Sequence, residues 1–216
     1  MSNILINILT RTSGRPEGFK VALDSVRSQT YKNINHIIAT DDINSEYYLQ
    51  SENVNYMFFN RSHFANKVAP SPARRSSIKL PHNLYFNEMI KHVKEGWILY
   101  LDDDDRLSSN TIIEELVEQI KPTDDLLLWK TKFPSNLIQG SILPPNEGPP
   151  QPGQIDGHCH GVNSRCKDKI EWIGWNFSDF YVIDKLYNEI ENKRWLDLIL
   201  VEKSQIGMGK RGDISR

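Results

Sequence analysis

Four consecutive carboxylates, Asp102-Asp103-Asp104-Asp105, directly follow the apolar run Trp97-Ile98-Leu99-Tyr100-Leu101. Like charges held this close raise one another's pKa, and a divalent cation relieves the repulsion. Oxygen ligands select hard or intermediate ions, which points to Mg2+ or Mn2+. A set with few protein ligands leaves coordination positions for a substrate diphosphate. The competing reading is a solvated acidic turn in front of a helix. The strand running straight into the cluster favours the metal, because ligands of open α/β sheets gather beyond the carboxyl ends of the strands.

Two more polar clusters stand at the ends of short apolar runs. Thr10-Arg11 follows Ile4–Leu9, and Asp41-Asp42 follows His36–Thr40. Three strand ends of this kind can converge in one crevice. Arg74, Arg75 and Lys79 form a basic segment whose charges suit phosphate oxygens, against the plainer reading of a solvated loop. Asp156, His158 and His160 lie in an expected strand over Ile155–Val162, where alternation places both histidines on one face. His158 is the candidate third metal ligand, and a buried, hydrogen-bonded histidine is the alternative. Trp172 and Trp175, beside Gly174 and Asn176, suit stacking on an acceptor sugar, or simply a packed rim.

The elements that must hold these residues alternate. Ile4–Leu9 reads as a strand, and Pro16-Glu17 opens a helix with Phe19, Leu23 and Val26 on one face. His36–Thr40 and Val54–Phe59 read as strands, Leu80–Val93 as a helix closed by Gly96, and Trp97–Leu101 as a strand. Ile112, Ile113, Leu116, Val117 and Ile120 form a helical stripe that Pro122 stops, and Leu126–Phe133 follows as a strand. The order β-α-β-β-α-β-α-β predicts an α/β fold: a mostly parallel open sheet with helices on both faces. Pro144–Gly153 holds five prolines and two glycines and must be a loop. Phe180, Ile183, Leu186, Tyr187 and Ile190 give a last helical stripe, and Gly207–Arg216 reads as a polar tail.

Composition narrows the function. The chain has 216 residues, 38% hydrophobic and 25% charged, with a formal net charge of -2. Such a balance carries no global footprint for nucleic acid. No apolar run has the roughly 20 residues of a membrane span, and the N-terminus has no basic segment or cleavage site. A soluble, cytoplasmic protein is expected, with Cys159 and Cys166 reduced.

The stretch Gly96–Asp105 resembles the strand and Asp-x-Asp signature of GT-A glycosyltransferases, especially the family 2 type. Ile4–Arg11 with Ala22–Tyr31 resembles that family's first strand and helix, and Ile37–Asp42 its second strand and base-binding aspartate. The likeness is good over about residues 3–130 and looser beyond. It implies a nucleoside diphosphate sugar donor, with UDP the expected nucleotide, and a glycan or glycoprotein acceptor. It implies that Thr10, Arg11 and Arg15 line the nucleotide pocket and that Asp41 or Asp42 binds the base. Asp102, with Asp103 beside it, then meets the ribose or the metal, and Asp104 ligates the metal. Two departures stand out. Pro81-His82-Asn83 occupies the place of an Ala-Arg-Asn motif, so Asn83 matches while the arginine's role falls to Arg74, Arg75 or Lys79. Asp41-Asp42-Ile43-Asn44 replaces Asp-Asp-Gly-Ser. The family's acidic pair before a late helix matches Ser178-Asp179, which makes Asp179 the expected base of an inverting reaction and an N-cap the alternative.

The expectation is one GT-A-like domain over residues 1–216, with a donor half at 1–132 and an acceptor half at 133–216, acting as a metal-dependent glycosyltransferase. A sugar-1-phosphate nucleotidyltransferase is an alternative, but Thr10–Arg15 is poor in the glycines its phosphate loop needs. A catalytically inactive carbohydrate-binding module is the other.

Overall fold

A computed structural model describes residues 3–70, 78–134 and 142–204. Strand β1 (Ile6–Thr12) leads into helix α1 (Pro16–Arg27), whose first position is proline, where no backbone donor is lost. Strand β2 (Ile34–Thr40), short helix α2 (Glu46–Ser51), strand β3 (Tyr56–Phe58) and short helix α3 (Arg61–Ala65) follow. A 3-10 turn at Pro81–Leu84 runs into helix α4 (Tyr85–Lys91), and strand β4 (Trp97–Tyr100) leads through the acidic turn into β5 (Asp105–Leu107). Helix α5 (Ile112–Gln119), strand β6 (Leu126–Lys132), the short β7 (Ile142–Leu143), β8 (His160–Asn163), helix α6 (Ser178–Glu189) and β9 (Lys193–Lys203) complete the described chain.

All nine strands join one sheet in the order β3-β2-β1-β4-β8-β6-β9-β5, with β7 on β6. Pairing is parallel from β3 to β4, as the alternation predicts. Beyond β4 it is mixed. Strand β8 runs antiparallel between β4 and β6, β9 is parallel to β6, and β5 is antiparallel to β9. Asp156 accepts the His158 N–H and starts a 3-10 turn at Gly157–Cys159 where a strand was expected, so β8 begins at the carboxyl end of β4 and runs away from it. Strand β9 runs the other way, parallel to β6, and ends with Lys203 opposite Asp105.

Alternation along the strands divides the core between two faces. Leu9, Ile98, Tyr100 and Leu128 pack with Phe86, Met89 and Ile90 of α4 and Val182, Ile183 and Leu186 of α6. Ile8, Leu99, Leu127 and Trp129 pack with Ala22 and Val26 of α1 and Ile112, Ile113 and Leu116 of α5. Gly161 of β8 leaves room for the indole of Trp129, whose Cη2 would stand 2.6 Å from a Cβ at that position. Among the described residues, no helix is long and apolar enough to cross a membrane.

Candidate active site

The acidic turn does not present four bare carboxylates to solvent. Each meets a cation. Asp102 takes Arg11 at 3.1 Å, and Arg15 reaches Asp103 at 2.7 Å and Asp104 at 2.9 Å. Asp105 takes Lys203 at 3.0 Å and the Ser204 N–H at 3.0 Å. Helix α1 can lie against this turn because Gly18 has no side chain; a Cβ there would stand 3.0 Å from the Asp103 carbonyl oxygen.

Environment sets the carboxylates apart. Burial works against the Asp102 charge, yet the positive charges of Arg11 and Lys203 hold its pKa far below the ordinary carboxylate range. Burial pushes Asp103 up to about 7 in spite of Arg15, and burial with the neighbouring Asp102 and Asp105 pushes Asp104 up to about 6. Asp156 is lowered because Lys203 and His158 overcome its burial.

His158 is buried at the carboxyl end of β4. Its Nε2 accepts the Asp102 backbone N–H at 2.9 Å, and its Nδ1 is hydrogen-bonded to Asp156. Asp156 raises the imidazole pKa against burial, but an amide donor pointing at Nε2 requires that nitrogen to be unprotonated. The hydrogen bond decides for the neutral ring with its proton on Nδ1. A carboxylate behind the far nitrogen is the usual support of a metal-ligating histidine. One ligand atom each from Asp102, Asp105 and His158 lies within 4.8 Å of the others. Two carboxylates and an imidazole suit Mn2+, and Mg2+ with more water in its shell. Ligation through Nε2 exchanges the bond from the Asp102 amide for one to the ion.

Two cavities meet at this cluster. The larger, about 460 Å³, is lined by Thr12, Ser13, Arg15, Asp41, Arg61, Tyr85 and Asp104. The smaller, about 320 Å³, is lined by Asn83, Phe86, Asp156, His158, Trp172, Asn176 and Asp179, among others. Arg11, His82, Asp102 and Lys203 border both. Arg11 is fixed from three sides: it donates to Asn83 at 2.7 Å, pairs with Asp102, and its guanidinium carbon lies 4.1 Å from the Phe86 ring centroid. Burial and the nearby Arg11 and Arg61 depress His82 to about 3, so it faces the junction as a neutral ring.

Of the residues singled out in the sequence, Arg11, Arg15, Asp41, Asn83, Asp102, Asp104, His158 and Asp179 border one or both cavities. Of the other described residues expected to bind nucleotide or metal, four do not line them. Thr10 points to the opposite face of β1 from Arg11, where its hydroxyl bonds His36 Nε2 at 2.9 Å. Asp42 caps the turn at Ile43–Ser45 by accepting the Asn44 N–H, leaving Asp41, which accepts the Tyr85 hydroxyl at 2.8 Å, on the cavity wall. Lys79 bridges to Trp175 and lies over its ring. Asp103 is wholly buried beneath α1. Arg74 and Arg75 lie outside the described residues.

His158 and His160 do not share a strand face. His160 is buried, stacked on Tyr100 at 5.0 Å between ring centroids. Trp172 is buried, packed between Phe86 and Tyr100, and presents no open indole face; Trp175 is half-buried and donates to the Ala69 carbonyl. The N-cap of α6 is Phe177, in a left-handed conformation at φ 62°, and Asp179 sits inside the first turn. Burial and the charge of Asp156 push Asp179 up to about 6. Both cysteines are free, with Cys159 buried. Sequence reasoning missed Lys203, Arg61, Tyr85 and the place of Asp105. The alternation of Leu196, Leu198 and Leu200, all buried, marks β9 as a strand without showing what Lys203 would face.

This architecture is the GT-A-like glycosyltransferase fold. The chain superposes on the crystal structure of S. aureus TarS with a TM-score of 0.66 at 13% identity, covering 94% of this chain and 37% of that one. On S. aureus TarS 1-349 in complex with UDP-GlcNAc the TM-score is 0.64 at 13% identity, with 99% of this chain and 62% of that one covered. On glucosyl-3-phosphoglycerate synthase from Mycobacterium tuberculosis in complex with Mg2+ and UDP it is 0.62 at 7% identity, covering 94% and 72%. The chain therefore spans between about a third and two thirds of the TarS chains it matches. No protein-family model and no curated protein matches the sequence.

Proposed function

We propose that the chain is a metal-dependent glycosyltransferase that moves a sugar from a nucleoside diphosphate donor, UDP-linked, to a glycan or glycoprotein acceptor. The observation that carries this reading is the meeting of two cavities at Asp102, Asp105 and His158. The larger cavity, with Asp41, Arg15 and Arg61, is assigned to the nucleotide. The smaller, with Asp179, is assigned to the acceptor. On this reading residues 1–132 supply most of the donor half and residues 133–216 the acceptor half. Two of the structures that share the fold hold UDP-GlcNAc, or UDP and Mg2+, and another GDP-Man and Mn2+, which supports a nucleoside diphosphate sugar as donor.

Asp102, Asp105 and His158 are the proposed holders of the ion. Asp104 was the carboxylate expected from the sequence; its pairing with Arg15 makes Asp105 the nearer third ligand. A bound Mn2+ or Mg2+ supplies neutralisation of the charge that develops on the leaving diphosphate. Arg11 and Arg15 add fixed positive charge along the same wall. Asp179 takes the acceptor's hydroxyl proton as that oxygen bonds to the anomeric carbon and the carbon–phosphate oxygen bond breaks. The product sugar is inverted and the nucleoside diphosphate departs. A base with a pKa near 6 is ionised at neutral pH and still accepts a proton readily.

A donor screen tests the reading. Hydrolysis of nucleotide sugars by the purified chain is measured with and without Mn2+, since transfer to water reports donor activation when the acceptor is unidentified. Mn2+-dependent release of UDP from at least one UDP-sugar is expected. Failure of every UDP-sugar to bind in the presence of Mn2+ would sink the proposal.

A further inference from the structure

The amine that ends β9 stands among the carboxylates assigned to the ion. Lys203 Nζ lies 3.0 Å from Asp105 Oδ2, 3.2 Å from Asp156 Oδ2 and 4.0 Å from Asp102 Oδ2. Its side chain is only 16% exposed, and it borders both cavities. Burial opposes the ammonium, but Asp156, Asp105 and Asp102 together raise its pKa well above the ordinary lysine value. A unit positive charge is therefore held against two of the three candidate metal ligands.

Its main chain and its side chain differ in freedom. Lys203 is paired with Asp105 in the β5–β9 ladder, and the next amide, Ser204 N–H, donates to Asp105 Oδ1. The Cα is thus pinned beside the acidic turn. The four-carbon stem beyond it is flexible, with three donors at its end. A divalent ion placed on Asp102, Asp105 and His158 claims the oxygen that Lys203 now holds and repels the ammonium at short range. The amine must then leave Asp105, and the larger of the two cavities it borders is the one assigned to the nucleotide.

We infer that Lys203 is a resident counter-ion of the metal site: it competes with the divalent ion in the free protein and swings to the donor's diphosphate when nucleotide and ion arrive together. The inference rests on the metal reading above. It makes the ion a weak ligand of the free protein and a strong one of the nucleotide complex. It also keeps the acidic pocket neutralised between turnovers, when an unpaired carboxylate cluster would weaken the fold.

The test is Mn2+ binding, followed by calorimetry and by the paramagnetic signal of free Mn2+, to the parent protein and to Lys203→Met, each with and without UDP. Without UDP, Lys203→Met should bind Mn2+ at least about tenfold more tightly than the parent, because the competing charge is gone. Mn2+ should also raise its melting temperature by more than it raises the parent's. At saturating Mn2+, UDP should bind Lys203→Met more weakly than the parent. Equal or weaker Mn2+ affinity in Lys203→Met overturns the inference and leaves the metal reading standing. Mn2+ binding to neither protein, even with UDP present, removes both. Should Lys203→Met fail to fold, Lys203→Gln keeps a hydrogen-bond donor toward Asp105 without the charge, and the same comparison decides.

Discussion

Arg15 Nη2 lies 2.7 Å from Oδ1 of Asp103, a carboxylate with no exposed surface. The pair ties the first turn of α1 to the acidic turn that carries the candidate metal ligands. Arg15 therefore supports the fold on one side and faces the larger cavity on the other. Removing the guanidinium strips a buried carboxylate of its partner, and the carboxyl then protonates rather than stay charged. The loss depends on pH. The folded pKa of Asp103 is raised to about 7, above its unfolded value. The carboxyl is thus protonated in the folded protein at pH 5, and its cost grows as pH rises through that value. Urea unfolding of Arg15→Met should show a destabilisation larger at pH 8 than at pH 5 by about 1 kcal/mol, because one pH unit above the folded pKa is worth about 1.4 kcal/mol and the stripped carboxyl then protonates. An equal loss at both pH values would show that the pair with Asp103 is not its source.

The two carboxylates that compete for the third ligand position are separable. Asp105 shares the 4.8 Å grouping with Asp102 and His158, whereas Asp104 is paired with Arg15. Asp105→Asn should weaken Mn2+ binding in the presence of UDP by about tenfold or more, and Asp104→Asn by less, on the scale of losing a charged ligand atom. Calorimetry of both variants reads this directly. The reverse order would return the ligand to Asp104.

Asp179 offers a kinetic signature. A general base must be unprotonated, so the transfer rate should rise as pH passes through about 6 and level off above it. Asp179→Asn should keep UDP and Mn2+ binding, lose transfer by about a hundredfold, and lose the acid limb of the profile. The stability sign is also defined. A folded pKa above the unfolded one means stability falls as pH climbs from about 4 toward 6. The Asn variant lacks that dependence and should gain on the parent above pH 6. Near-normal transfer by Asp179→Asn would redirect attention to Asp156.

Base selectivity is expected from Asp41, whose side chain is held by Tyr85 at 2.8 Å and Arg61 at 3.4 Å. A carboxylate facing the imide N–H of uracil meets an acceptor in cytosine instead. An unpaired buried acceptor costs about 1–3 kcal/mol, or roughly tenfold to a hundredfold in affinity. UDP should therefore outbind CDP, with Asp41→Asn narrowing the gap and Asp42→Asn leaving it unchanged. Equal affinity of the parent for UDP and CDP would dissociate Asp41 from the base.

How far the chain could be read from its residues follows from the range of the signals. Strands β1, β2 and β4 and helix α1 are legible because hydrophobic period and proline placement are local. The acidic run announces a cation, but which oxygen faces which neighbour is decided by the turn between β4 and β5. Hence Asp103 turns under α1 while Asp105 turns to β9. Thr10 and Arg11 were read as one cluster, although adjacent strand residues point to opposite faces. Asp42 was taken for a binding residue when Asp-x-Asn offered a turn cap. The placement of β8 between β4 and β6, antiparallel to both, has no local signature, and it delivers His158. The alternation of β9 was legible, but its register against β5, which delivers Lys203, was not.

The four residues that front both cavities, Arg11, His82, Asp102 and Lys203, constrain how such a protein could be redesigned. A change at any of them alters the surroundings of both ligands at once, so their preferences cannot drift independently there. Asp41 and Arg61 touch the larger cavity alone, and Asn176 and Asp179 the smaller alone. On the proposed assignment of the cavities, new donors should be sought through the first pair, and new acceptors through Asn176 and its neighbours, with the common wall left as it is.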